Sequence, residues 1–144
     1  MASIEERFSV ALHNTARIWR QAIDRRLKDL GVGQAGWMAI AKIAKSSSVL
    51  SQIELANQLG VEGPTVVSLV DRLVKADLVT RVPSETDRRI KHVVLTPAGE
   101  ALYGEVRTVA DAYRKEMFAD IDKARLQAAT ELLEALQAKV EASL

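Results

Sequence analysis

A mainly α-helical fold of about six helices with one two-stranded hairpin is predicted by three features of the sequence. Ala, Leu and Val dominate a chain that is 48% hydrophobic but only 4% aromatic, a composition suited to helix packing rather than to a broad sheet. Apolar residues recur at steps of three and four through long stretches at both ends. Between Ser51 and Leu95 a short helix, a tight turn, a second helix and a hairpin follow one another. At 144 residues the chain has the size of one compact core.

Each element has a local reason. From about Ile4 to Leu30, Phe8, Leu12, Ala16, Trp19, Ile23, Leu27 and Leu30 mark one amphipathic helix that Gly31 and Gly33 stop. A second helix runs from about Gln34 to Ala44, with Trp37, Ile40 and Ile43 on one side, and ends in the loop Ser46-Ser47-Ser48. Ser51 is an N-cap with Glu54 in the capping-box position, opening a helix from Gln52 to Leu59. After Gly60-Val61-Glu62-Gly63, Pro64 starts a helix that extends to Asp77, because its missing N–H and fixed φ are tolerated there. Val66, Leu69, Val70, Leu73 and Val74 form its buried stripe, leaving Thr65, Ser68, Arg72 and Lys75 on the opposite face. Val79 to Val82 and His92 to Leu95 read as two strands around the turn-rich Pro83 to Asp87. Thr96 caps a helix with Pro97 in its first turn that runs to Phe118, and a last helix spans Lys123 to Ala142.

Charge and composition exclude several classes of function. With no cysteine there is no disulfide frame, thiolate metal site or thiol switch. His13 and His92 stand far apart without companions, so neither a metal nor any other cofactor is expected. No apolar run approaches the ~20 residues that span a bilayer. The start MASIEERFSV carries two acids where a signal peptide has a basic head. A cytoplasmic protein without a membrane partner is expected. Enzyme activity is not, since there is no phosphate loop, no His-Glu-x-x-His helix and no nucleophile signature. The acid pairs Glu5-Glu6, Asp120-Asp122 and Glu131-Glu134 suit solvated helix faces.

The net charge of +1 hides an uneven distribution. Residues 1–50 carry eight bases and four acids, residues 51–95 six and six, and residues 96–144 six and nine. In the middle third the bases gather late, at Arg81, Arg88, Arg89 and Lys91, which makes the hairpin tip the place for phosphate attraction. A helix sized for the major groove followed at once by an arginine-bearing hairpin is the order of a winged helix-turn-helix. The terminal helices are too long to bury their stripes on so small a core, and a second copy is the economical cover. Residues 1–30 and 97–144 are therefore expected to build a dimerisation stalk, and residues 31–96 the DNA-binding region. Two recognition helices about 34 Å apart would read an inverted repeat on double-stranded DNA.

The residues also resemble the MarR-type regulators, and among them the SlyA branch, over almost the whole chain. The matching stretches are Arg17 to Arg20 with Ile23 to Lys28, Gln34 to Trp37, Gln52 to Gly60, Asp87-Arg88-Arg89, and Leu95 to Gly99. The resemblance implies a homodimeric transcriptional repressor or antirepressor on AT-rich pseudo-palindromes, released in many members by small aromatic carboxylates. It implies that Thr65 and Ser68 contact bases or phosphates, that Arg72 meets the backbone, and that Gly63 and Pro64 shape the helix start. Arg88 and Arg89 match the wing pair, with Asp87 orienting an arginine and Arg89 the one favoured for minor-groove insertion. Arg17 and Trp37 match positions that flank an aromatic carboxylate. One departure is Ser68, where the SlyA branch has an arginine able to grip guanine bidentately.

Plainer readings stand beside these. Thr65 and Ser68 also suit polar surface, and Arg88 and Arg89 a solvated hairpin tip. Arg81 and Lys91 also suit guards of a strand edge. Trp37 suits plain core at its helical spacing, and Arg17 an ion pair with Asp24. The rival function is a dimeric winged helix that docks proteins and has no operator preference.

Overall fold

The computed structural model describes all 144 residues, as six α-helices and a three-stranded antiparallel sheet. Helix α1 (Ile4–Arg26) begins at Ser3, whose hydroxyl accepts the Glu6 N–H at 3.1 Å. It is shorter than its apolar stripe suggests. The backbone tightens at Leu27 into a 3₁₀ turn, Lys28–Leu30, closed by Gly31 at φ +73°, a left-handed conformation that glycine adopts without strain. Helix α2 is Gly33–Lys45 and helix α3 is Gln52–Leu59. The capping box of α3 is complete, with Ser51 Oγ accepting from Glu54 N–H at 3.1 Å and the Glu54 carboxylate accepting from Ser51 N–H at 3.2 Å.

Helix α4 (Gly63–Lys75) has Pro64 in its first turn and stops short of the expected Asp77. Asp77 itself takes φ +61°, and its carbonyl accepts the Thr96 hydroxyl at 2.6 Å, so the chain reverses there instead of continuing the helix. Val74, expected in the buried stripe, is exposed. The hairpin strands are β2 (Val79–Pro83) and β3 (Lys91–Leu95). A third strand, β1 (Leu50–Ser51), pairs with β3 through Leu50 opposite Val93 and Ser51 opposite His92, giving the order β1-β3-β2. Helices α5 (Pro97–Phe118) and α6 (Lys123–Ala142) complete the chain.

The molecule divides into two compact units, Met1–Asp111 and Ala112–Leu144. In the first, Ile40, Leu55, Val66, Val70, Val79 and Val93 are fully buried, so α2, α3, α4 and the sheet close on one apolar centre. The start of α5 is tied to that centre, with Thr96 Oγ1 accepting the Gly99 N–H at 3.0 Å and Gly99 lying on the Leu78 carbonyl. In the second unit, Asp122 caps α6 by accepting the Arg125 N–H at 3.1 Å, yet the helix buries no residue. No helix is long and apolar enough to cross a membrane.

Candidate nucleic-acid interface

Helix α4 meets the core through Val66, Leu69, Val70 and Leu73, and this fixes which residues face outward. Pro64, Thr65, Val67, Ser68, Asp71 and Arg72 are exposed. Gly63 has an ordinary φ and open space where a side chain would go, so the fold itself does not require glycine there. Thr65, Ser68 and Arg72 lie along one wall of an open cleft of about 730 Å³ that Arg20 of α1 and Met38 and Lys42 of α2 also border. Three cations thus surround a partly apolar hollow, a setting that suits an anion with a flat apolar body. Arg20 and Lys42 escaped the sequence reading because nothing in their spacing ties them to α4.

The wing tip is more ordered than a turn-rich stretch suggests. Ser84 is buried, and its hydroxyl lies 3.3 Å from the Thr86 N–H, 3.4 Å from the Asp87 N–H and 3.1 Å from the Thr86 hydroxyl. Backbone bonds Ser84 N to Ile90 O at 2.9 Å and Ile90 N to Asp87 O at 3.0 Å close the loop. Asp87 then holds Arg89 at three points. Its Oδ1 accepts the Arg89 backbone N–H at 3.0 Å and Nε–H at 3.1 Å, and its Oδ2 accepts from Nη2 at 2.9 Å. This bidentate pair draws the Asp87 carboxyl below the ordinary carboxylate value and raises the Arg89 guanidinium above its own. The Arg89 side chain remains 90% exposed, so a braced cation projects from the tip. Arg88 is exposed as well and borders a shallow depression with Lys91.

Arg81 departs from the expected edge guard. It lies on the edge strand β2 but on the inward face, two residues from the buried Val79, and reaches Gln52 of α3 and Asp71 of α4. The pattern carried a signal for this, since period-2 alternation from Val79 turns Arg81 toward the core side, where a charge needs partners.

Trp37 is buried, and its Nε1–H donates to Asp24 Oδ1 at 2.9 Å. Asp24 therefore serves the indole rather than Arg17, which meets Asn14 Oδ1 at 3.4 Å from an exposed position.

This sequence and architecture are similar to those of known proteins. The MarR family profile matches residues 30–90. The crystal structure of transcriptional regulator PA3341 is 36% identical, with a TM-score of 0.87 over 93% of this chain and 98% of that one. The complex of MepR from S. aureus with DNA is 19% identical, with a TM-score of 0.75 over 97% of this chain and 99% of that one. CouR from Rhodococcus jostii RHA1, bound to p-coumaroyl-CoA, is 20% identical, with a TM-score of 0.79 over 94% of this chain and 95% of that one.

Proposed function

This chain belongs to the MarR family of transcriptional regulators, and from that premise we propose that it represses transcription as a homodimer bound to an AT-rich inverted repeat. The observation that carries the proposal is the wing tip, where Asp87 holds Arg89 in one orientation while leaving its guanidinium almost wholly exposed. A cation fixed before binding loses little freedom on entering a minor groove, and an AT-rich groove is narrow and strongly negative. Thr65 and Ser68 would read the adjoining major groove, Gly63 and Pro64 would let the helix start approach the duplex, and Arg72, Arg88 and Lys91 would meet phosphates. The existence of a MepR–DNA complex on this fold supports the geometry.

The SlyA branch is the proposed place within the family, with Ser68 expected to shift the operator sequence away from that branch. A homodimer is supported by the apolar residues left exposed on α1, among them Ile4, Phe8 and Leu12. Residues 1–30 and 97–144 would hold the two copies together. A small aromatic carboxylate is the proposed releasing effector. The resemblance points to Arg17 and Trp37 for it, but the buried, bonded indole favours the adjoining cleft with Arg20, Lys42 and Arg72.

Selection of fragments from a random DNA pool with the purified chain is the test. An inverted repeat should emerge, its binding should weaken steeply with salt, and salicylate should compete. Arg89→Ala should weaken operator binding about tenfold. A selection that returns no sequence preference sinks the proposal in favour of a protein-docking winged helix.

A further inference from the structure

We propose that Arg81 is a positioning residue of the reading surface, which holds α3 and α4 against the wing and cancels the charge of Asp71 without touching a phosphate. The inference rests on the DNA-binding reading above. Its basis is one guanidinium with partners on two helices. From β2, Arg81 Nε donates to Gln52 Oε1 at 2.8 Å, at the first residue of α3. Its Nη2 donates to the Val67 carbonyl at 3.2 Å and lies 2.6 Å from Asp71 Oδ1.

Val67 and Asp71 are four residues apart on α4, where the carbonyl of the first points toward the second, so the single Nη2 meets both while Nε holds Gln52 of α3. Sliding or rotating α4 along its axis would break both contacts together. The side chain of Arg81 is only 27% exposed, in keeping with a committed group. Asp71 is the one acid within Gly63–Lys75 and its side chain is 60% exposed, on the helix expected to enter a groove walled by phosphates. An uncompensated carboxylate there would repel the duplex, and Arg81 neutralises it at contact distance. Lysine cannot substitute, because a single ammonium lacks the planar fork that serves separated acceptors in fixed directions.

The experiment measures Kd for the full chain on its selected operator and on a scrambled duplex of equal length, across a KCl series. Active fractions are normalised by stoichiometric titration, so that a loss of folded protein does not register. Arg81→Met should weaken operator binding about tenfold and scrambled DNA by a smaller factor of about two- to threefold, because the bared Asp71 carboxylate repels any duplex, with the slope of log K against log salt unchanged. Arg81→Lys should not rescue. Asp71→Asn, which frees the guanidinium, should tighten scrambled DNA and cut the operator preference by about fivefold or more. Equal losses on both duplexes, with a slope reduced by about one, would make Arg81 a phosphate contact and overturn the inference. Unchanged operator binding in Arg81→Met overturns it too. If that variant does not fold by circular dichroism, Asp71→Asn and Gln52→Ala, each removing one arm, decide between the same outcomes. A wild-type chain that prefers no operator defeats the DNA-binding reading, and this inference with it, before any variant is compared.

Discussion

At the wing tip, Asp87 commits both oxygens to the guanidinium of Arg89, so the carboxylate sets the direction in which that exposed guanidinium points. Substitution separates orientation from charge. Asp87→Asn raises the net charge by one, and attraction alone would then tighten DNA binding. If orientation dominates, operator affinity should instead fall by about three- to tenfold, which a fluorescence anisotropy titration reads directly. The pair also sets a pH window. Because Arg89 holds the folded carboxyl below its ordinary value of 3.8, the bond is intact above that value and is lost only as pH falls through the lowered one. Wing geometry should therefore not respond to pH between about 5 and 8 on account of this pair. The carboxyl carbon shift of Asp87, followed by NMR, should move only below the ordinary carboxylate range.

Elements in this molecule are joined by residues that do two things. Ser51 ends β1 and caps α3, so the sheet and the support helix share one residue. Thr96 caps the start of α5 while its hydroxyl donates to Asp77 O, so it also secures the reversal after α4. Gly99 makes this junction possible. A Cβ added there would stand 2.0 Å from the Leu78 carbonyl oxygen, a backbone atom with no flexible end to move aside. Gly99→Ala should cost about 2 kcal/mol or more, since the strands and α5 must separate to admit a methyl group. Differential scanning calorimetry should record a fall of about 5 °C or more. An unchanged melting temperature would mean that the junction is loose.

For the whole molecule, the unresolved physical demand is apolar surface. In the first unit Ile4, Phe8, Val10, Leu12 and Ile18 of α1 are exposed, and in the second Leu132, Leu133 and Val140 of α6 are exposed by 56%, 40% and 50%. Helices with so much apolar surface in water call for cover. Leu12→Glu and Leu133→Glu, separately, should shift the species seen in sedimentation from twice 15.8 kDa toward 15.8 kDa at micromolar protein. Operator affinity should fall by about 100-fold or more, because each monomer would grip one half-site alone. Variants that dissociate yet keep full affinity would rule out a two-copy reading of DNA.

Period and cap chemistry determined most of the secondary structure. The spans Gln52–Leu59 and Lys123–Ala142, the capping box at Ser51 and the stop at Gly31 follow from local rules that act within a few residues. The order of helix, turn, helix and hairpin was legible for the same reason. Three features were decided only in three dimensions. Strand β1 is two residues long, too short for an alternating pattern, and exists because β3 offers Val93 and His92 for pairing. The end of α4 depends on a carbonyl of Asp77 that Thr96 claims from nineteen positions away. The part played by Arg81 depends on Gln52 and Asp71, brought to it by helix packing. Local sequence sets backbone preferences through sterics and nearby hydrogen bonds, whereas the partner of a charged side chain is chosen by whatever the fold carries within about 4 Å of it.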